Sequence, residues 1–222
     1  MKHNWLMAGM LGAGLLSGGC ALWEAPKAQE DNTMPAQYAA TPVKVDGKLN
    51  DAVWQIAPKR AMRWNPAWVE SRPELARKSI GDKQREAGTV QMAWDDKYVY
   101  IAFDFSDSDV QAQKQKDQTH LYLTGDLGEV FLKPVNDTYY WELYVAPSGN
   151  KTSFFFPGRG ELGLPDMDKE LMPGLLAAAQ VQGTMNNWHD VDTGWTGEMA
   201  VPIAQLEKYG AKFDPETPWT VF

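Results

Sequence analysis

Apolar and polar positions alternate along several short runs of this chain, and two of the runs double back with matching faces. In "TVQMAWDDKYVYIAFDF" (89–105) every second residue is apolar on either side of Asp95-Asp96. A period of two marks a strand with one face inward, and directly opposed residues of an antiparallel pair share a face. A two-residue turn at Asp95-Asp96 sets Trp94 opposite Lys97, Met92 opposite Val99 and Val90 opposite Ile101. The other face then holds Gln91 with Tyr100 and Ala93 with Tyr98, a mixed surface beside an aliphatic one.

The second run is "GEVFLKPVNDTYYWELYVAPSG" (128–149). Asn136 and Asp137 both tolerate left-handed backbone, so they suit the turn. That turn places Leu132 opposite Trp141 and Val130 opposite Leu143 as core. On the other side Glu129 faces Tyr144, Phe131 faces Glu142 and Lys133 faces Tyr140. Glu129, Glu142, Tyr140 and Tyr144 therefore line one surface. Asp126 in "GDLGEVFL" (125–132) is an odd number of residues from Glu129, so it points the other way unless Gly125 or Gly128 bends the strand.

Further strands are expected at 43–46, around 153–156 and 177–183, and at 195–201, where "WTGEMAV" alternates. "PIAQLEKYG" (202–210) predicts a short helix opened by Pro202 and ended by Gly210, while the charged stretch 72–87 fits helix or loop. Many short strands with few helices predict an all-β fold, an antiparallel β-sandwich of immunoglobulin- or jelly-roll-like type with short helices and long loops. Trp54, Trp94, Trp141 and Trp195 fall at core-type positions of the pattern.

The N-terminus breaks the alternation. Lys2 precedes the apolar stretch "WLMAGMLGAGLL" (5–16), which ends in "LLSGGC". A positive start, an apolar segment too short to span a bilayer comfortably and small residues before Cys20 resemble a bacterial lipoprotein signal. This predicts a signal peptide over 1–19, lipidation of Cys20, a flexible tether over 20–40 and a single domain over 41–222. It also predicts a secreted protein held in the cell envelope, in the periplasm or at the outer membrane, by a lipid anchor. Cys20 is the sole cysteine, so no intrachain disulfide forms and the core must hold the fold.

At 222 residues the chain suits one substantial core, and 44% hydrophobic with 23% charged residues is ordinary for a globular domain. The formal net charge of −8 argues against nucleic acid, whose phosphates call for clustered cations. Ten Trp, eight Tyr and eight Phe supply flat apolar surface in quantity. A sugar ring has an apolar C–H face and a fringe of hydroxyls; aromatic rings bury the first and carboxylates fix the second. In the loop "NNWHDVDTG" (186–194), Asn186, Asp190 and Asp192 alternate before Gly194, a candidate oxygen set for calcium.

Four segments together resemble the family 9 carbohydrate-binding modules: "VDGKLNDAVWQIAP" (45–58), "VQMAWDDKYVYIAFDFSDSDV" (90–110), "GDLGEVFLKP…YYWELYVAPSGN" (125–150) and "VQGTMNNWHDVDTGWTGEMAVPIAQL" (181–206). The last, with Gly-Trp-Thr, a Glu two positions on and a closing Pro, is the most specific. The resemblance implies a saccharide-binding sandwich, often beside bound calcium, without catalytic machinery, in which aromatic rings and charged side chains hold a sugar end. By that resemblance Glu129 is the acidic strand residue, and Tyr122 and Trp188 are candidates for the rings; Glu142, Tyr140 and Tyr144, on the face of Glu129, have the residue types for further sugar contacts. It also implies a further C-terminal strand beyond "WTVF".

Two other functions compete. A glycoside hydrolase would use Glu129 with Glu142 or Asp126 as its carboxylates. A haem-binding sandwich would draw on His120, His189, Met92 or Met199, without covalent attachment since no second cysteine exists. A purely structural envelope lipoprotein is a third possibility.

Overall fold

The computed structural model describes residues 33–62, 86–158, 170–214 and 217–222. Cys20 and the signal segment, Trp64, Trp68 and nearly all of the charged stretch 72–87 lie outside the described residues. Two sheets face one another. The larger contains β1 (Ala36–Tyr38), β2 (Arg60–Ala61), β3 (Gly88–Trp94), β4 (Tyr98–Ser106), β8 (Leu176–Gln182) and β9 (Gly194–Pro202), in the order β1-β3-β4-β9-β8. β2 shares the β3 edge with β1. The smaller is β10-β5-β6-β7, built from β5 (Gly128–Pro134), β6 (Tyr140–Val145), β7 (Lys151–Phe156) and β10 (Trp219–Val221). Every pairing is antiparallel except β1 on β3. The fold is the expected all-β sandwich.

The inner faces supply the core. Met92, Ile101, Met199 and Val201 of the larger sheet meet Val130, Leu132, Leu143, Val145 and Trp219 of the smaller, all at or below a few per cent exposure. Trp54, Trp141 and Trp195 are buried as expected, and Trp94 packs half-buried at the margin. The β5–β6 register is the one read from parity, with Leu132 opposite Trp141 and Glu129 opposite Tyr144.

The β3–β4 hairpin differs by one residue at its turn. Met92 pairs with Ile101 and Trp94 with Val99, so the turn is Asp96-Lys97. The reason is Asp95: its carboxylate accepts hydrogen bonds from the Lys97 and Tyr98 N–H groups at 2.7 and 2.8 Å and from the Tyr100 hydroxyl at 2.7 Å. Such an Asx turn puts the aspartate before the turn, not in it. Each residue moves by two along its partner, which preserves the faces.

The larger sheet is covered on both sides. Ala93, Ala102 and Ala200 leave room on its outer face for residues 39–57, including the helix α1 (Ala52–Ile56), and Tyr100 packs there as well. No strand forms at 43–46; this segment is a looped cover over the sheet. Ala36–Tyr38, expected at the end of the tether, is hydrogen-bonded into the sheet as β1. The "WTVF" end, beyond which the resemblance implies a further strand, forms the edge strand β10 on β5. The helix α2 (Ile203–Leu206) follows Pro202 as predicted and runs into a 3-10 turn that ends at Gly210.

Glu198 fastens the cover to the sheet. It is 0% exposed, and its carboxylate accepts from the Asp46 N–H at 2.9 Å, the Gly47 N–H at 2.6 Å and the Trp54 indole N–H at 2.7 Å. Thr196 donates to the Gly47 carbonyl at 2.5 Å. Gly47 has φ +79°, and a Cβ there would lie 2.5 Å from the backbone carbon of Ala179, so no other residue fits. The motifs "VDG…W" and "GWTGE" are thus two halves of one contact. Burial raises the Glu198 pKa, opposed by the backbone donors of Gly47 and Asp46 and by the indole.

Glu198→Ala leaves two buried N–H donors and the part-buried Asp46 N–H without an acceptor, at about 1–3 kcal/mol for each buried one, so a loss of about 3 kcal/mol is expected. Trp54→Phe removes one donor and should cost less. Denaturant unfolding checks both as a lowered midpoint at unchanged slope.

Candidate functional site

The outer face of the smaller sheet carries the residues singled out in the sequence. Glu129, Phe131 and Lys133 alternate outward from β5, and Tyr144, Glu142 and Tyr140 stand opposite them on β6. β7 adds Phe154 and Phe156, and Phe222 follows β10 beside Phe131, with which it exchanges backbone hydrogen bonds.

Glu129 and Glu142 lie diagonally across the two strands, half-buried, and their carboxyl groups hydrogen-bond to one another. Burial raises both pKa values; for Glu142 the adjoining Glu129 adds to this and brings it to about 7. Like charges this close do not both ionise readily, so the pair holds one proton up to near neutral pH. The Tyr144 hydroxyl also donates to the Glu142 carboxylate.

Rings border the carboxyl pair on both sides. Toward one end Tyr122, 48% exposed on the 3-10 turn Leu121–Leu123, meets Tyr144 edge-on at 6.4 Å. Toward the other, Tyr140 is 6.1 Å from Phe131 and stacks on Phe156 at 4.7 Å. Beyond Glu142 a cleft of ≈ 460 Å³ opens; among the described residues Phe131, Lys133, Thr138, Tyr140 and Phe222 line it.

Tyr144 departs from the expected role. It is 1% exposed, sealed with Leu121 and Phe154, so it props Glu142 and does not present a ring to a ligand. Strand parity placed it on the correct face, but the cover comes from residues 119–123, distant in sequence. Trp188 is 74% exposed, tilted against His189 at 4.0 Å, and shares no ring contact or hydrogen bond with the sheet-face residues. Its loop is nonetheless tied to that of Tyr122. The Asn186 amide oxygen accepts from the Ala112 N–H at 2.7 Å, Gln113 N–H donates to the Thr124 carbonyl at 2.9 Å, and Ala112 bridges to Gly125.

The calcium set is used otherwise. Asp192 is 6% exposed, with one oxygen accepting from Thr184 N–H at 2.6 Å and the other from Val110 N–H at 2.8 Å. Asn186 holds Ala112, and Asp190 is exposed. The side chains that were to converge on an ion pin the loop instead, so Asn186, Asp190 and Asp192 do not fit a calcium site. Among the described residues no group of three or more His, Cys, Asp or Glu gathers as a metal set.

Asp126 takes no part in the face. Its carboxylate accepts from the Gln111 N–H at 2.7 Å and borders a separate cleft with Glu86, Asp107, Phe105 and Trp195. Burial, then the charges of Asp107 and Glu86, raise its pKa to about 6, against the pull of the Gln111 N–H. Nor does the Glu129–Glu142 pair resemble a hydrolase pair, because carboxyls bonded to one another leave no room for a glycosidic bond between them. The haem candidates are scattered: Met92 and Met199 are 0% exposed in the intersheet core, while His120 and His189 sit on loops.

Phe131, Lys133, Thr138 and Phe222 were not singled out as site residues. The parity that found Glu129 also puts Phe131 and Lys133 outward, so those two were within reach; Phe222 needed the pairing of β10.

The shared proton makes stability depend on pH. Between the ordinary glutamate pKa and about 7 the native state holds a proton that the unfolded chain has released. Stability should therefore fall as pH rises across that window and level off above it. Denaturant midpoints over this range are expected to show the fall, and Glu142→Gln should remove most of it.

A family model described as carbohydrate family 9 binding domain-like matches residues 45–213. No curated protein sequence matches. Among solved structures, a provisionally named carbohydrate-binding protein from Bacteroides uniformis is similar at TM-score 0.54 and 10% identity, over 79% of this chain and 74% of that one. A family 9 carbohydrate-binding module from Caldicellulosiruptor kristjanssonii is similar in its cellotriose complex at TM-score 0.45 and 14% identity, over 75% of this chain and 66% of that one. The same module's glucose complex gives 0.43 and 14%, over 76% and 68%. The model spans Gly47, Trp54 and Glu198 as well as the carboxyl pair, and the chain belongs to the carbohydrate family 9 binding domain-like family, whose members bind carbohydrate without catalysing its cleavage.

Proposed function

We propose that the outer face of the smaller sheet binds an oligosaccharide and performs no chemistry on it. The observation that carries this reading is the half-buried Glu129–Glu142 pair set between the exposed ring of Tyr122 and the half-buried ring of Tyr140. With its one proton held between the two acids, the pair presents its remaining carboxyl oxygens as acceptors, which suits the hydroxyl donors of a sugar. Tyr122 and Tyr140 flank the pair and supply C–H-facing surface, and Trp188 adds a ring from the neighbouring loop. Cello-oligosaccharides are the ligands to try first, because a structurally similar family member is described with cellotriose.

The lipoprotein-like segment before Cys20 supports a second element of the reading, that the domain works from a lipid anchor in the cell envelope and captures glycans for uptake. Radiolabelled palmitate should enter the wild-type protein in bacterial cells and not the Cys20→Ala variant.

Calorimetric titration of the purified protein with cellotriose and longer oligomers should give saturable binding. Glu129→Gln and Tyr122→Ala are each expected to weaken it about tenfold, the worth of one charged hydrogen bond or one stacked ring. Trp188→Ala should weaken it less. Undiminished affinity in both Glu129→Gln and Tyr122→Ala would overturn the site.

A further inference from the structure

The cleft beyond the carboxyl pair has a chemistry of its own. Phe131, Tyr140 and Phe222 make its walls strongly apolar, and among the described residues Lys133 is the one cation that lines it. The Lys133 ammonium donates to the Pro134 carbonyl at 3.1 Å. No carboxylate of the described residues pairs with it, although the chain carries 29 acidic residues against 21 Lys and Arg. A half-buried ammonium with one neutral acceptor has donors to spare, and a negative group is its strongest available partner.

From the saccharide reading, on which this step rests, we infer that the cleft takes a uronate residue and that the preferred ligand is an acidic oligosaccharide. The uronate carboxylate pairs with Lys133, while the pyranose C–H faces lie against Tyr140, Phe131 and Phe222. The Thr138 hydroxyl, which donates to the Pro157 carbonyl at 2.9 Å, keeps its lone pairs for a sugar hydroxyl. Lys133 and Glu129 lie four residues apart on one strand face, about 13 Å at ~3.3 Å per residue. A short oligosaccharide spans that distance with its carboxylate at the basic end and neutral hydroxyls at the acidic end. The proton shared by Glu129 and Glu142 lowers the repulsion such a ligand would otherwise meet. The cleft beside Asp126 offers an anion no comparable place, since Glu86 and Asp107 border it.

The test uses galacturonate and glucuronate oligosaccharides, each beside its methyl ester, with cellotriose as the uncharged reference. The ester has the same shape without the charge. By calorimetry at low ionic strength, at least one acid form is expected to bind about tenfold or more tightly than its ester, and added salt should narrow the gap. Lys133→Gln should erase the discrimination, so that acid and ester bind within about twofold of one another, a range that corresponds to a small fraction of a charged hydrogen bond. Retained folding of the variant is checked by its denaturant midpoint. Acid and ester binding equally, or a preference that survives Lys133→Gln, overturns the inference; if cellotriose still binds, the saccharide reading stands without it. Failure of every oligosaccharide to bind overturns both.

Discussion

A carboxylate with no water around it holds the two ends of this domain together. Glu198 sits midway along β9, and the groups that compensate its burial come from residues 46, 47 and 54, about 150 positions away in the chain. Because an unpaired buried charge is so costly, β9 in its native place requires the N-terminal segment in its native place too. The segment can lie close because the sheet beneath it offers Ala93, Ala102 and Ala200 instead of larger side chains. One pairing thus joins the order of the chain to the layering of the fold, and it leaves the smaller sheet as the layer with an open outer face.

That openness is partial, and the electrostatics of the face follow from it. Residues 119–123 cover Tyr144 and Phe154 but stop short of Glu129 and Glu142, so the acids are neither solvated nor sealed. Half-burial keeps a proton between them. Complete exposure would let both ionise, and complete burial would leave nothing for a ligand to reach.

Alternation along the strands contained most of the architecture. The β5–β6 register was readable to the residue because Asn136-Asp137 suits a tight turn and each face matches across it. The β3–β4 turn was misread by one position, since hydrophobic period does not reveal where a side chain such as Asp95 directs its hydrogen bonds. Facing survived the slip because parity is insensitive to a shift of two. Local pattern was silent on contacts between distant segments: the burial of Tyr144, the pairing of β10 that brings Phe222 to the cleft, and the parallel docking of β1. Asp192 and Asn186 illustrate a separate limit. Oxygen-bearing side chains in a loop look alike whether they await a cation or hold a neighbouring backbone amide, and only coordinates distinguish the two uses.

β1 docks at the margin of the six-stranded layer, and the acid-and-ring surface belongs to the far side of the other layer. Met34, just ahead of β1, lines a pocket between the layers together with Glu129, Val221 and Phe222, so the entry of the chain into the sheet and the rim of that surface share one set of contacts.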